Sequence, residues 1–201
     1  MESSGQTPRG RQALRVGAVV VVAGAAAIVV WLVVRNHDDQ NAATTTTSTG
    51  TAVTPSSVVR ASQQALARLS QLKRRPIYWA GPERNMKLEL TQTAGGRIYL
   101  RYLPLNVKLG DRRGRYLIVG TYPVHDAYQA IQKAAGEPGG HLLRLRRGIL
   151  GVYNNSSPTN VYFAIRGSSF QIEVYDPNPR RALALVRSGT IRPIHLKSTG
   201  A

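Results

Sequence analysis

Met86-Lys87-Leu88-Glu89-Leu90-Thr91 runs through Gln92-Thr93-Ala94-Gly95-Gly96 into Arg97-Ile98-Tyr99-Leu100-Arg101-Tyr102-Leu103, and the reading of this stretch decides the fold class. Met86, Leu88 and Leu90 fall on one side of an extended chain and Lys87 and Glu89 on the other, the two-residue period of a half-buried strand. Ala94-Gly95-Gly96 supplies the small residues of a hairpin turn, so Arg97–Leu103 is read as the returning strand. A Gly- and Arg-rich loop, Leu109-Gly110-Asp111-Arg112-Arg113-Gly114-Arg115, leads to a further strand over 116–122. Pro123 then opens a helix with apolar positions Val124, Ala127, Tyr128, Ile131 and Ala134. Upstream, Ile77-Tyr78-Trp79 forms a short strand that ends at Gly81-Pro82. Before it, Val58, Ala61, Ala65, Leu66, Leu69 and Leu72 recur at helical spacing, and Lys73-Arg74-Arg75-Pro76 stops that helix.

The second half of the chain repeats this order. Leu88-Glu89-Leu90-Thr91 corresponds to Leu150-Gly151-Val152-Tyr153, and Ile98-Tyr99-Leu100 to Val161-Tyr162-Phe163. Tyr116–Val119 corresponds to Phe170–Val174, and Tyr122-Pro123 with Ala127 to Tyr175-Asp176-Pro177 with Ala182. The expected fold is therefore α+β: an N-terminal transmembrane helix, one further helix, then two antiparallel four-strand-plus-helix halves related by internal duplication.

The transmembrane helix is Val16–Val34, a run of 19 residues with nothing more polar than glycine. At about 1.5 Å per residue it spans roughly the 30 Å hydrocarbon core, and as a helix it satisfies its own backbone hydrogen bonds there. Arg9, Arg11 and Arg15 precede it, whereas Arg35 is followed by Asp38 and Asp39. Basic residues stay on the cytoplasmic side, so residues 1–15 are expected inside and the bulk of the chain outside the plasma membrane. A cleaved signal peptide is the rival reading. The apolar run exceeds the usual stretch of about 7–15 residues, and Ala25-Ala26-Ala27 is followed by more apolar residues. The Thr/Ser-rich segment 35–57 has the composition of a linker. An extracytoplasmic domain over 58–196 and a short tail over 197–201 complete the organisation.

The chain has no cysteine, which removes disulfides, thiolate metal sites and thiol nucleophiles. Beyond residue 57 there are 23 Lys and Arg against 7 Asp and Glu. Such a surplus attracts anionic polymers and surfaces, and equally suits solubility in an arginine-rich composition. His37, His125, His141 and His195 show no metal-ligand spacing, and neither a nucleophile elbow nor a phosphate-binding glycine loop with lysine is present. No cofactor motif and no catalytic constellation emerges. Glu89 and Glu173 sit mid-strand and read as residues of solvated strand faces. A basic surface with interleaved tyrosines is the candidate ligand site: Arg97, Arg101, Arg112, Arg113, Arg115, Arg144 and Arg146 with Tyr99 and Tyr102.

Ile77–Pro82 (IYWAGP), Gly96–Pro104 (GRIYLRYLP) and Val119–Pro123 (VGTYP), with Val174–Pro177 (VYDP), resemble segments of a group of actinobacterial membrane-anchored proteins without an assigned activity. The resemblance covers roughly residues 58–195 and implies the architecture above, with no mechanism. The element order is also similar to the duplicated saddle of TATA-binding proteins, an analogy that confers no function. The expected role is a membrane-anchored binding module for an anionic envelope polymer or an envelope protein. An envelope enzyme acting on wall polymer is the alternative, and nucleic acid is a weak third because a translocated domain rarely meets it. Oligomeric state is not legible. Protease added to intact cells should digest the C-terminal domain while the full-length chain resists carbonate extraction. A mature form beginning near residue 44 would instead indicate cleavage.

Overall fold

The alternation at Met86 becomes the second strand of an eight-stranded antiparallel sheet. The structure, a computed structural model, describes residues 57–146 and 148–195. The expected membrane span at 16–34, the linker as far as residue 56, and the tail lie outside them. Among the described residues no helix is long and apolar enough to cross a membrane. In chain order the elements are β1 Ser57–Ala61, α1 Gln63–Leu72, β2 Tyr78–Trp79, β3 Met86–Gln92, β4 Ile98–Pro104, β5 Ile118–Pro123 and α2 Ala127–Ala135. They continue with β6 Gly140–Arg144, β7 Ile149–Asn154, β8 Ser157–Ile165, β9 Phe170–Tyr175, α3 Pro179–Arg187 and β10 Arg192–Pro193. The fold is α+β. The sheet order is β1-β3-β4-β5-β9-β8-β7-β6, and β10 pairs with β2 in a separate two-stranded ribbon.

Three local expectations are corrected. The helical spacing from Val58 does not start a helix there, because residues 57–61 pair with β3, with Val59 opposite Leu90. Ser62 then takes an extended conformation and its side-chain oxygen accepts the Ala65 N–H at 3.1 Å. A serine N-cap of this kind starts the helix one residue later. Tyr78-Trp79 joins the ribbon rather than the main sheet. Pro123 closes β5 opposite Phe170, and the helix begins only at Ala127.

The two faces of the sheet are covered differently. On one, Leu100, Tyr102, Val119, Val161, Phe163, Ile172 and Val174 form an apolar layer. It is capped by Leu66 and Ala67 of α1, Tyr78 and Trp79 of the ribbon, and Ala182 and Val186 of α3. On the other face α2 packs on β6, β7 and β8. Its buried Ala127 and Ile131 belong to neither of those clusters and share this face with Leu150, Val152 and Ala164. With both faces covered, β8 and β9 are buried over consecutive residues, and alternation disappears from their sequence.

Register places Tyr99, Gly120, Glu173 and Tyr162 side by side on neighbouring strands, on the α2 face. Gly120 is the gap in that row. Tyr122, two residues on and therefore on the same face, lays its ring over the gap, and its hydroxyl donates to Glu173 Oε2. A Cβ on residue 120 would come within 2.6 Å of the Tyr122 Cζ. Gly120→Ala is therefore expected to displace the ring and to destabilise the domain by about 1–3 kcal/mol in urea unfolding. Gly95→Ala, where a Cβ meets nothing within 4 Å, should stay within about 0.5 kcal/mol of the parent.

Candidate functional site

The nine residues of the expected basic surface separate into four places. Arg101 on β4 directs Nη1 to Glu89 Oε1 at 2.7 Å, and its Nη2 donates to the backbone carbonyl of Asp111. The second Glu89 oxygen accepts the Gly110 N–H at 2.5 Å. Glu89 is 1% exposed, so the expectation of a solvated carboxylate is corrected: loop 105–117 folds over this side of β3 and β4 and buries it. Asp111 in the same loop is held by Arg113, with Nε–Oδ1 and Nε–Oδ2 distances of 3.0 Å. The Arg113 side chain and backbone N–H hold the Asp111 carboxyl well below the usual carboxylate range. The Tyr175 hydroxyl donates to the Gly114 carbonyl at 2.5 Å, and Arg101 lies 5.5 Å from the centre of the Tyr116 ring. Arg101 and Arg113 thus pin the loop, while Arg112 and Arg115 remain exposed.

Tyr102 is on the opposite face, 1% exposed. Its hydroxyl donates to Gly81 O at 3.1 Å and accepts the Ala80 N–H at 2.7 Å, and burial pushes its pKa up. Arg144 and Arg146 stand at the β6 edge of the sheet. Five strand spacings of about 4.8 Å, roughly 24 Å, separate β6 from β4, and α2 covers β6–β8 between them on that face. One continuous Arg/Tyr surface is not formed. Arg97 and Tyr99 lie apart from both groups, beside the sheet centre, where Arg97 approaches the Tyr122 ring to 5.9 Å and Tyr99 packs edge-on against it.

That centre is built around Glu173, which is 3% exposed and again not the solvated acid expected from sequence. Its Oε1 accepts Asn160 Nδ2 at 2.6 Å and the Tyr162 hydroxyl at 2.9 Å, and its Oε2 accepts Tyr122. Burial raises the Glu173 pKa against the opposing pull of these three donors, and burial likewise raises those of Tyr122 and Tyr162. The sequence signal for this centre was Gly120, since a glycine inside a strand marks close approach of another group. Which group approaches is set by the β5–β9 register, a contact 51 residues apart in the chain.

A groove of about 480 Å³ opens at the edge of the sheet. Trp79, Leu88 and Tyr102 line it together with Arg60, Ser62 and Gln63 on one side and Pro82, Glu83, Met86 and Lys87 on the other. Its size is that of a small-ligand site. Glu83 is the groove's carboxylate, and Arg181 holds it at 2.7 Å. Lys87 donates to Leu105 O at 3.0 Å, while Arg60 makes no ion pair among the described residues. The groove therefore offers aromatic and aliphatic surface bordered by cations, with its own acid already neutralised. No cluster of His, Asp or Glu able to hold a metal ion occurs among the described residues.

These features define an antiparallel α+β sheet domain with a pinned loop, a buried carboxyl centre and a cation-bordered groove. No family model, curated protein or solved structure matches the chain.

The raised pKa of Glu173 sets a pH dependence. The folded carboxyl holds its proton more tightly than the unfolded chain, whose glutamate titrates near about 4.3. The stabilisation is fully present below that value and is lost as pH rises through the raised one. Glu173→Gln retains an oxygen acceptor without a charge. Relative to the parent it should become progressively more stable as pH increases from about 4, read from urea midpoints. A constant difference across that range would contradict the assignment.

Proposed function

We propose that this chain is a single-pass, membrane-anchored protein of the plasma membrane whose extracytoplasmic sheet domain binds an anionic partner. Residues 1–15 are the cytoplasmic end, 16–34 the anchor and 35–56 the linker, since Ser57 already pairs with Gln92 in β1. The domain over 57–196 is the binding module, and its two four-strand groups descend from one duplicated unit. The carrying observation is how the fold uses its acids. Of the seven beyond residue 57, Glu83 and Asp176 contact Arg181, Glu89 contacts Arg101, Asp111 contacts Arg113, and Asp126 contacts His125. Glu173 is enclosed by Tyr122, Tyr162 and Asn160. Six of the seven are thus engaged inside the domain, and the remaining Lys and Arg leave a positive field.

The groove is the place where that field borders an apolar and aromatic floor. Its chemistry suits an anionic envelope polymer: the repeating unit packs beside Trp79 and Leu88, and phosphate or carboxylate groups meet Arg60 and Lys87 at the rim. The strand positions of these two cations turn them toward the Glu89 side of the sheet edge. An enzyme cleaving wall polymer would need two carboxylates flanking the scissile bond. The groove supplies Glu83 alone, tied to Arg181. This supports binding over hydrolysis.

The test uses the full-length protein in detergent with long-chain inorganic polyphosphate as the probe. Arg60→Gln with Lys87→Gln should weaken binding about tenfold, and the salt dependence should become shallower as phosphate contacts are lost. The charge-matched pair Arg180→Gln with Arg187→Gln, on α3, should change affinity less than about threefold. Equal losses from the two pairs would mean diffuse attraction and no site.

A further inference from the structure

The antiparallel register determines which turns share an end of the sheet. Ser57 lies opposite Gln92, so the chain enters the domain beside the β3–β4 turn. Pro123 lies opposite Phe170 and Ile149 opposite Ile165, which brings the β5–α2, β8–β9 and β6–β7 turns to that same end. The segment after α1 joins them, because Arg75 Nη1 donates to Gly96 O at 3.3 Å.

The charges at this entry end are nearly all of one sign. Lys73, Arg74 and Arg75 follow α1, Arg97 closes the β3–β4 turn, Arg144 and Arg146 flank the β6–β7 turn, and Arg166 begins the β8–β9 turn. The acid among these segments is Asp126, whose Oδ2 lies 2.7 Å from His125 Nδ1. The other six acids beyond residue 57 sit along the sheet or in connections at its far end. Leu72, beside Lys73 and Arg74, is 82% exposed, the most exposed large apolar side chain among the described residues. Cations spread over the width of a sheet around one protruding leucine fit a surface that is flat, anionic and apolar beneath its charges.

We propose that the entry end of the sheet docks on the anionic lipid headgroups of the membrane that holds the anchor, with Leu72 as its apolar tip. The inference rests on the reading of residues 16–34 as a membrane span. Residues 35–56 then tie Ser57 to the bilayer by a chain that reaches at most about 75 Å. Every basic turn at this end is held near the surface by the same connection, so individually weak headgroup contacts act at high effective concentration. Each cation at an anionic surface contributes roughly fivefold in affinity. Docking in this way directs the far end, where Met86, Lys87 and Glu83 border the groove, away from the bilayer.

The absence of native cysteine allows single labels on the full-length chain. Gln71→Cys, beside Leu72, and Leu105→Cys, at the far end, each carry a fluorophore in vesicles that contain quencher-bearing lipid. The vesicles are phosphatidylcholine alone or with about a third phosphatidylglycerol. The label at 71 should be quenched in the anionic vesicles and released in the zwitterionic ones, while the label at 105 stays unquenched in both. Combined Arg74, Arg97, Arg144 and Arg146→Gln should lower quenching at 71 about tenfold or more. The charge-matched set Arg84, Lys108, Arg112 and Arg115→Gln should leave it unchanged. Equal quenching at 71 and 105, or equal effects of the two sets, would overturn the docking surface. Carbonate extraction reads the anchor separately. A chain that resists extraction but is unquenched at 71 overturns docking and keeps the anchor. One that is extracted yet quenched at 71 overturns the anchor and keeps docking.

Discussion

The pairing of β5 with β9 is the contact on which the remainder of the domain depends. It joins two four-stranded groups into one sheet, and it does so with a glutamate on its buried face. A carboxyl group out of water needs partners, because leaving it without them forfeits its hydration without recompense. Glu173 finds them on both sides of the seam: Tyr122 from β5, and Tyr162 and Asn160 from β8. Gly120 makes this arrangement sterically possible, since any side chain in its place would occupy the volume of the Tyr122 phenol. A slip of β5 against β9 by one residue would turn Glu173 toward the apolar layer and Val174 toward the tyrosines. The polar centre thus selects one register, while Ile172 and Val174 provide the burial that stabilises it.

A second consequence concerns electrostatics. A chain with so few acids uses almost all of them to organise its own structure. Glu89 and Arg101 hold loop 105–117 across the sheet, and Arg181 bridges Glu83 and Asp176 between the start of β3 and the start of α3. Removing Arg101 would leave Glu89 buried without its counter-charge, a loss of about 3–5 kcal/mol. Arg101 is thereby part of the scaffold although it belongs to the residue type expected to meet a ligand. Most of the other cations pair with no acid among the described residues, and Lys73, Arg74, Arg75, Arg97, Arg144, Arg146 and Arg166 fall at the end where the chain enters.

The sequence by itself determined what depends on neighbouring residues. Strand period at Met86–Thr91, the hairpin at Ala94–Gly96, a helical stripe through Leu66 and Leu69, an arginine surplus and an apolar run of 19 residues are all local patterns. The α+β class followed from them. Tertiary structure decided what depends on strand order and on the covering of each face. The alternation places Glu89 and Glu173 opposite apolar neighbours, but whether that second side meets water depends on loop 105–117 and on α2, which arrive from elsewhere in the chain. Arg101 and Arg144 look alike in sequence. One lies on β4 within reach of Glu89, the other on β6 at an edge of the sheet, because β5, β9, β8 and β7 intervene. A two-residue period is written into the backbone of a single strand. Which partner a strand acid meets, as Glu89 meets Arg101 and Glu173 meets Tyr122, is settled only when strands pair, through contacts whose register no local pattern encodes.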